Sequence, residues 1–304
     1  MHGLLLIDKP SGVTSHDIVR RVRRKLGIRR VGHGGTLDPL ATGLVPVAVG
    51  DATRLLEFFS DSDKGYSATM RLGTATDSQD ADGTVVATGS WEHLGCKDVE
   101  KAILAMQGEI DQVPPMFSAL KKNGVPLYRL ARQGKEVDRP SRRVSIRTIS
   151  MTSCNLPDVS FDVTCSKGTY VRTLAHDIGQ SLGCGAHLIA LRRFRHGPFD
   201  ISQALPLESF EAVSAEESTA MLIPLIEVMA FLPMVRLTET AVQRLLNGVP
   251  PQADEAELPS GCREGDLCRL TDGDKLLAIA AFAPSRERET RGDFELAKVF
   301  TLGQ

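Results

Sequence analysis

Val31-Gly32-His33-Gly34-Gly35-Thr36-Leu37-Asp38-Pro39-Leu40 is the stretch from which this 304-residue chain is best read. Three glycines in four positions let backbone approach a ligand closely, and Pro39 biases Asp38 away from helical geometry toward an extended, displayed conformation. Taken alone, the segment reads equally as a turn aspartate before proline. Just upstream, Ser15 to Leu26 has helical spacing: Ser15 is a good N-cap, Asp17 suits the first turn, and Ile18, Val19, Val22 and Leu26 share a face that Gly27 ends. The opposite face is basic. Arg20, Arg21, Arg23, Arg24 and Lys25, followed by Arg29 and Arg30, place seven cations in eleven positions with no acid among them. Such a face is either solvated or laid against a phosphate backbone, and the mutual repulsion of unpaired charges favours the second.

Two more basic clusters follow. Lys121, Lys122, Arg129, Arg132, Lys135, Arg139, Arg142 and Arg143 stand against only Glu136 and Asp138, in a stretch punctuated by Gly124, Pro126 and Gly134. That pattern suggests a projecting loop or helical hairpin. Arg192, Arg193, Arg195 and His196 form the third. Lys167-Gly168-Thr169-Tyr170-Val171-Arg172 reads as an alternating strand with Tyr170 and Arg172 on one face, so Arg172 could pair with Asp38 and Tyr170 could pack against a base. A core aromatic and a surface cation are the ordinary alternatives. Strands are expected over Tyr66–Leu72, Val144–Ile149 and Ser160–Cys165, and helices over Asp98–Met106, Thr173–Leu182 and roughly Phe210–Ile226. Beyond Pro233 a capped helix at Thr238–Asn247 and a hairpin of Leu267–Leu270 with Lys275–Ala280 suggest a separate small unit. The mixture is α+β.

Hydrophobic residues at 42% and charged residues at 24% are ordinary for a globular chain, and the length favours one large domain with a small one. The net charge of −2 hides an asymmetry: residues 1–200 carry 27 Lys and Arg against 21 Asp and Glu, whereas residues 201–304 carry 9 against 17. A polyanion bound through the first part alone would fit. The apolar run Gly3 to Ile7 is too short for a signal sequence, and no stretch is long enough to span a membrane, so a cytoplasmic protein is expected. Its six cysteines (Cys96, Cys154, Cys165, Cys184, Cys262 and Cys268) have no metal-ligand spacing and are expected as reduced thiols. Neither a Walker phosphate loop nor a G-x-S-x-G elbow occurs.

Six segments taken together resemble the ordered motifs of the bacterial TruB family of tRNA pseudouridine(55) synthases: Asp8 to Ser15, Gly32 to Pro39, Asp80 to Gly83, Val113 to Lys121, Lys167 to Arg172 and Leu191 to Arg193. The resemblance implies a pseudouridine synthase fold, a mixed and mostly antiparallel sheet flanked by helices, spanning 1–230. It implies a β-rich PUA-like domain over 231–304 and a mobile basic insertion at 121–143 that closes over RNA. It further implies isomerisation of uridine-55 in the T loop of tRNA, with no metal, nucleotide or redox cofactor. On this resemblance Asp38, Tyr66 and Arg172 are catalytic, and His33, Tyr66, Tyr170 and Leu191 contact the flipped base. Tyr66 would stack on that base and assist proton removal. Arg20, Arg24, Arg29, Arg30, Lys121, Arg129, Arg132, Arg142 and Arg193 are the candidates for contacts to the RNA backbone. No membrane and no obligate protein partner is expected, and the protein is expected to act as a monomer.

The chemistry suits the residue types. Isomerisation needs the N1–C1′ bond broken and C5 joined in its place, so one carboxylate can suffice, whereas a hydrolytic glycosidase would need a second carboxyl group to activate water. A base glycosylase, a tRNA chaperone that needs no catalysis, and a globular protein with a merely solvated basic face remain the competing readings.

Overall fold

The apolar run at the N-terminus continues through Lys9 as a buried strand, Gly3–Lys9, near one edge of a ten-stranded sheet in the computed structural model. The structure describes residues 1–285 and 292–300. Residues 286–291 and 301–304, which the sequence reading assigns to the C-terminal unit, lie outside the described residues. Across the sheet the order is Leu205–Pro206, Gly3–Lys9, Thr42–Val49, Ala186–His196, Lys64–Leu72, Asp158–Cys165, Arg142–Asn155 and Gly108–Gln112, with Val31–His33 paired to Thr42–Val49. Pairing is antiparallel except where Leu205–Pro206 joins Gly3–Lys9 and where Thr42–Val49 joins Ala186–His196. This is the mixed, mostly antiparallel sheet expected.

Alternation sets which face is buried. Tyr66, Ala68, Met70 and Leu72 point into a core closed by the helices Ser15–Leu26, Cys96–Leu104 and Val171–Ser181, while Ser67 and Arg71 face out. The basic helix forms as its spacing requires, but Thr14 rather than Ser15 is the N-cap. Thr14 and Asp17 cap each other reciprocally, and Gly27 closes the helix in the left-handed region at φ 65°. Ser15 is buried, and its Oγ accepts from the Leu37 amide at 2.9 Å. The helix is thereby tied to the glycine-rich loop.

Four other expectations need correction. Tyr170–Arg172 is not strand: Lys167 to Thr169 is a turn, and Val171–Ser181 is a helix with Arg172 in its first turn. Residues Phe210 to Ile226 break into short helices, Leu207–Ala212, Ala215–Ala220 and Leu225–Val228, because Ser214 caps anew and Pro224 starts the last. The basic insertion ends before Arg142, which with Arg143 begins a sheet strand; between them and Gln112 lie a two-residue hairpin, Lys121–Lys122 with Val125–Pro126, and the helix Leu127–Ala131. Finally, the cysteines are not all thiols. Cys96 at the start of its helix and Cys154 near the end of its strand are brought to a Cα separation of 6.0 Å and form a disulfide.

The C-terminal unit is β-rich. Its five strands run in the order Ala256–Glu257, Met234–Leu237, Leu267–Asp272, Lys275–Phe282 and Phe294–Val299, with the helix Glu239–Leu246 capped by Thr238. No described helix is long and apolar enough to cross a membrane.

Candidate active site

Asp38 sits in the loop that follows the strand Val31–His33, and neighbouring elements pin that loop from several sides. Gly34 N donates to Pro46 O at 2.9 Å, and Gly12 N donates to Pro39 O at 2.9 Å. The buried Lys9 ammonium donates to Pro39 O at 3.2 Å, as well as to Pro10 O and Val13 O. Arg193 Nη2 donates to Gly35 O at 3.1 Å, and Arg193 Nε donates to Leu44 O at 2.7 Å. A carboxylate displayed from such a loop keeps its position without a helix or strand of its own.

Arg172 meets Asp38 at 3.2 Å, from Nη1 to Oδ2. The same Nη1 lies 3.1 Å from Asp80 Oδ2, and Nη2 donates to Phe117 O at 2.6 Å. Arg172 and Asp80 are almost fully buried, whereas the Asp38 side chain is 40% exposed. The guanidinium is thus fixed from behind and presents its remaining charge to the carboxylate that opens to solvent. Asp80 is itself held by Ser78 Oγ at 2.5 Å and by the Asp82 amide at 3.2 Å. Burial pushes the Asp38 carboxyl above the usual carboxylate range, Arg172 and Lys9 draw it back, and Asp80 and Asp82 push it up again. Burial lowers the Lys9 ammonium to about 8.

The carboxylate faces a cavity of about 310 Å³ whose wall includes Gly34, Asp38, Tyr66, Tyr170, Arg172 and Leu191. Tyr66 comes from the strand Lys64–Leu72 and Leu191 from its neighbour, where Leu191 pairs with Ala68. Tyr170 N donates to Gln112 Oε1 at 2.8 Å and Gln112 Nε2 donates to Tyr170 O at 3.2 Å, while Arg172 lies 5.7 Å from the Tyr170 ring centre. Residues drawn from positions 34 to 191 of the chain therefore converge on one hollow the size of a base. Beyond Asp38 a second recess of about 570 Å³ takes in Asp80, Asp82, Tyr128 and Arg132 from the insertion. His33 ends its strand outside the cavity wall, with burial and Arg193 holding its imidazole below the usual range. Among the described residues no three His, Cys, Asp or Glu side chains gather as a metal site would require.

The basic residues divide. Arg24, Arg29, Lys121, Arg129, Arg132 and Arg142 are exposed, and among the described residues none has an ion-pair partner. The helix face is less bare than its sequence suggests: Arg20 contacts Asp17, Arg21 meets Glu211 at 3.0 Å, and Arg30 meets Asp51 at 2.7 Å. Arg193 does not belong to the exposed group. The extra residue Phe194 makes a bulge opposite Tyr66 and Gly65, and the pleat turns Arg193 and His196 inward while Arg192 and Arg195 remain outside. With 1% exposure and its donors taken by carbonyls, Arg193 cannot reach a phosphate. Asp80, Lys9 and Gln112 are the site residues to which the sequence reading gave no role; Asp80 and Lys9 stand in motifs already quoted, and Gln112 had no signal.

Residues 23–171 match the N-terminal domain of the TruB family of pseudouridylate synthases, and residues 172–236 match the tRNA pseudouridylate synthase B C-terminal domain. The chain is 48% identical over 303 residues to the tRNA pseudouridine synthase B of Syntrophotalea carbinolica, covering 100% of this chain and 99% of that protein. It is 43% identical to the protein of the same name from Geobacter sulfurreducens, covering 99% of this chain and 100% of that one. Among solved structures, a chain from a Cbf5-Nop10-Gar1 complex superposes with a TM-score of 0.74 at 28% identity, covering 98% of this chain and 85% of the other. A chain from an H/ACA RNP bound to a substrate RNA containing 2′-deoxyuridine gives the same score at 26% identity and the same coverage. With full-length relatives at this identity and family domains matched in order from residue 23 to 236, the chain belongs to the TruB family of pseudouridylate synthases.

Proposed function

We infer that this chain is a tRNA pseudouridine synthase that isomerises uridine-55 of the T loop, with Asp38 as its catalyst. The observation that carries the reading is a single open carboxylate, braced by a buried guanidinium, at the wall of a base-sized hollow. Asp80, the carboxylate nearest by way of Arg172, is almost fully buried and already bonded, so it is not free to activate water. That favours isomerisation over hydrolysis. A uridine reaches the hollow only when flipped out of its loop, at a cost of a few kcal/mol that stacking on an aromatic offsets. Tyr66 supplies that aromatic and then assists removal of the C5 proton. Tyr170 and Leu191 shape the pocket, and His33 helps displace the base at its rim.

The exposed cations of the basic helix and of the insertion provide the phosphate contacts, and the insertion, whose Arg132 borders the recess beside Asp38, closes over the bound loop. Residues 231–304 act as a PUA-like RNA-binding unit. A monomer working in the cytoplasm suffices, because one cleft on one chain meets one tRNA elbow.

The test is tritium release from tRNA transcript labelled with [5-³H]uridine. Release by the native chain, lost with Asp38→Asn and lost with a transcript carrying cytidine at position 55, is the expected result. Tight tRNA binding without release would instead favour a tRNA chaperone, and free uracil in the products a glycosylase.

A further inference from the structure

Arg193 heads the fully buried side chains of the described residues. An arginine inside a protein ordinarily meets a carboxylate, since an unpaired buried charge is costly. Among the described residues Arg193 has no such partner. Its hydrogen bonds go to three neutral carbonyls: Leu44 O at 2.7 Å, Gly35 O at 3.1 Å and Thr36 O at 3.5 Å. Its surroundings add no compensating anion. Lys64 is buried close by, held by Ser60 O and Ser62 O at 2.6 Å each. His196 is fully buried with both ring nitrogens unpartnered, and burial drives its imidazole down to about 3, so it stays neutral. The wall of the cavity thus includes a buried guanidinium and a buried ammonium.

What lies opposite is Tyr66. Arg193 and Tyr66 are direct cross-strand partners, so their side chains share a face, and both border the hollow that holds Asp38. Alternation from Leu191, which pairs with the buried Ala68, gives Arg193 this inward aim, and the bulge at Phe194 then turns His196 to the same side. The charged and titratable groups acting on the phenol are Arg193 from the strand Ala186–His196, Cys165 from Asp158–Cys165 and Asp38 from the glycine-rich loop, with Lys64 of Tyr66's own strand set against Arg193 and Cys165. Burial pushes the phenol above its ordinary range, Arg193 draws it down, and Cys165 and Asp38 push it up. Arg193 is the chief group favouring charge on that oxygen.

We propose that Arg193 is a positioning residue for Tyr66: it orients the phenol and supports negative charge on its oxygen when the C5 proton is removed. The proposal rests on the reading of Tyr66 given above. Once C5 has joined C1′, it carries both the sugar and its hydrogen, and C6 is doubly bonded to N1. The Tyr66 phenol gives its proton to N1 by way of solvent; the phenolate left beside Arg193 takes the C5 proton and becomes phenol again, the C5–H electron pair forms C5=C6, and the C6=N1 pair stays on N1 as a lone pair. The proton count closes with Tyr66 unchanged, and a guanidinium beside the phenol lowers the barrier by making its phenolate easier to form.

Single-turnover rates on tRNA transcripts containing uridine or 5-deuterouridine test it, using the full chain, R193M and R193K, and the native chain and R193M each with 3,5-difluorotyrosine in place of tyrosine. With R193M the rate should fall about 10- to 100-fold, within what general acid–base groups supply, and the C5 isotope effect should rise as deprotonation becomes limiting. R193K should recover part of the rate. Fluorination, which makes the phenolate easier to form, should restore more rate to R193M than to the native chain. If R193M keeps its circular dichroism and tRNA affinity but slows with no change in isotope effect, Arg193 only braces the glycine-rich loop and the proposal falls. Should R193M not fold, R193K carries the test, because an ammonium cannot keep the three-carbonyl fork and the phenol together; an unchanged isotope effect there overturns the proposal equally. A native chain that makes no pseudouridine would defeat the functional reading itself, which is a different outcome from an active chain whose isotope effect ignores position 193.

Discussion

The groups behind Asp38 set the charge on its carboxyl. Because burial and Asp80 raise its carboxyl while Arg172 lowers it, the acid limb of the single-turnover rate should lie above the ordinary carboxylate range. The sign of each perturbation follows. Removing the cation with Arg172→Gln leaves burial and the acidic neighbours unopposed, so the limb should move to higher pH and the maximal rate should fall. Asp80→Asn removes a like charge and keeps a hydrogen-bonding group near Arg172, so the limb should move to lower pH. Rate profiles between pH 4 and 9 check both, and shifts in the same direction would contradict the arrangement of Arg172 between the two carboxylates. The pairing of Arg172 with Asp38 was legible in the sequence because both residues stand in distinctive motifs. Asp80 was not, since nothing local says that a carboxylate in a turn will pack behind an arginine distant in the chain. Arg193 was misread as a phosphate contact for a related reason: a run of arginines looks exposed until the register with the neighbouring strand shows which of them face inward.

The basic helix was read almost residue for residue, since apolar spacing and a left-handed Gly27 leave few alternatives. Its exposed face was not, because the acids that neutralise Arg21 and Arg30 come from elsewhere in the chain. This distinction yields a prediction about salt. Arg24→Ala and Arg29→Ala should each weaken tRNA binding and reduce the slope of log K against log salt by about 0.7–0.9, the amount expected when one phosphate contact is lost. Arg21→Ala should change the slope by much less, because Glu211 already holds that cation at 3.0 Å. Filter binding across a salt series separates them, and equal slopes for all three variants would argue against the helix as a phosphate-binding face. Segments with weaker periodicity were the ones misplaced. The alternation at Lys167 to Arg172 imitates a strand, yet the helix that starts at Val171 is the better solution because it buries Val171, Leu174, Ala175 and Ile178 against the sheet. The Cys96–Cys154 bond was out of reach for another reason: sequence spacing cannot say which two of six cysteines a fold will bring together.

The asymmetry of charge between residues 1–200 and 201–304 suggests two independent bodies, but the packing argues otherwise. Leu276, Ile279 and Phe300 of the C-terminal unit share one apolar cluster with Leu4, Leu6 and Leu44 of the ten-stranded sheet and with Phe59 of the short helix Glu57–Ser60. Arg54 donates to Val299 O at 2.7 Å and lies over the Phe300 ring, and Lys298 meets Glu57 at 2.9 Å. Gly3–Lys9 alternates between this cluster and the main core, so the same strand that flanks Thr42–Val49 also seats the C-terminal unit. A core of this kind couples unfolding of the two parts, since neither can open without exposing apolar surface of the other. Ile279→Ala, far in sequence from Asp38, should therefore cost about 2–5 kcal/mol, as large-to-small core changes do, and should lower one common transition. Calorimetry and urea unfolding followed by far-ultraviolet circular dichroism would register it. Two separate transitions, with only one displaced by the substitution, would show that the C-terminal unit is an appendage. A single displaced transition would mean that this acidic unit, whatever it contributes to RNA binding, also holds the first strand of the catalytic sheet, and that removing it should impair isomerisation through loss of the fold as well as through loss of affinity.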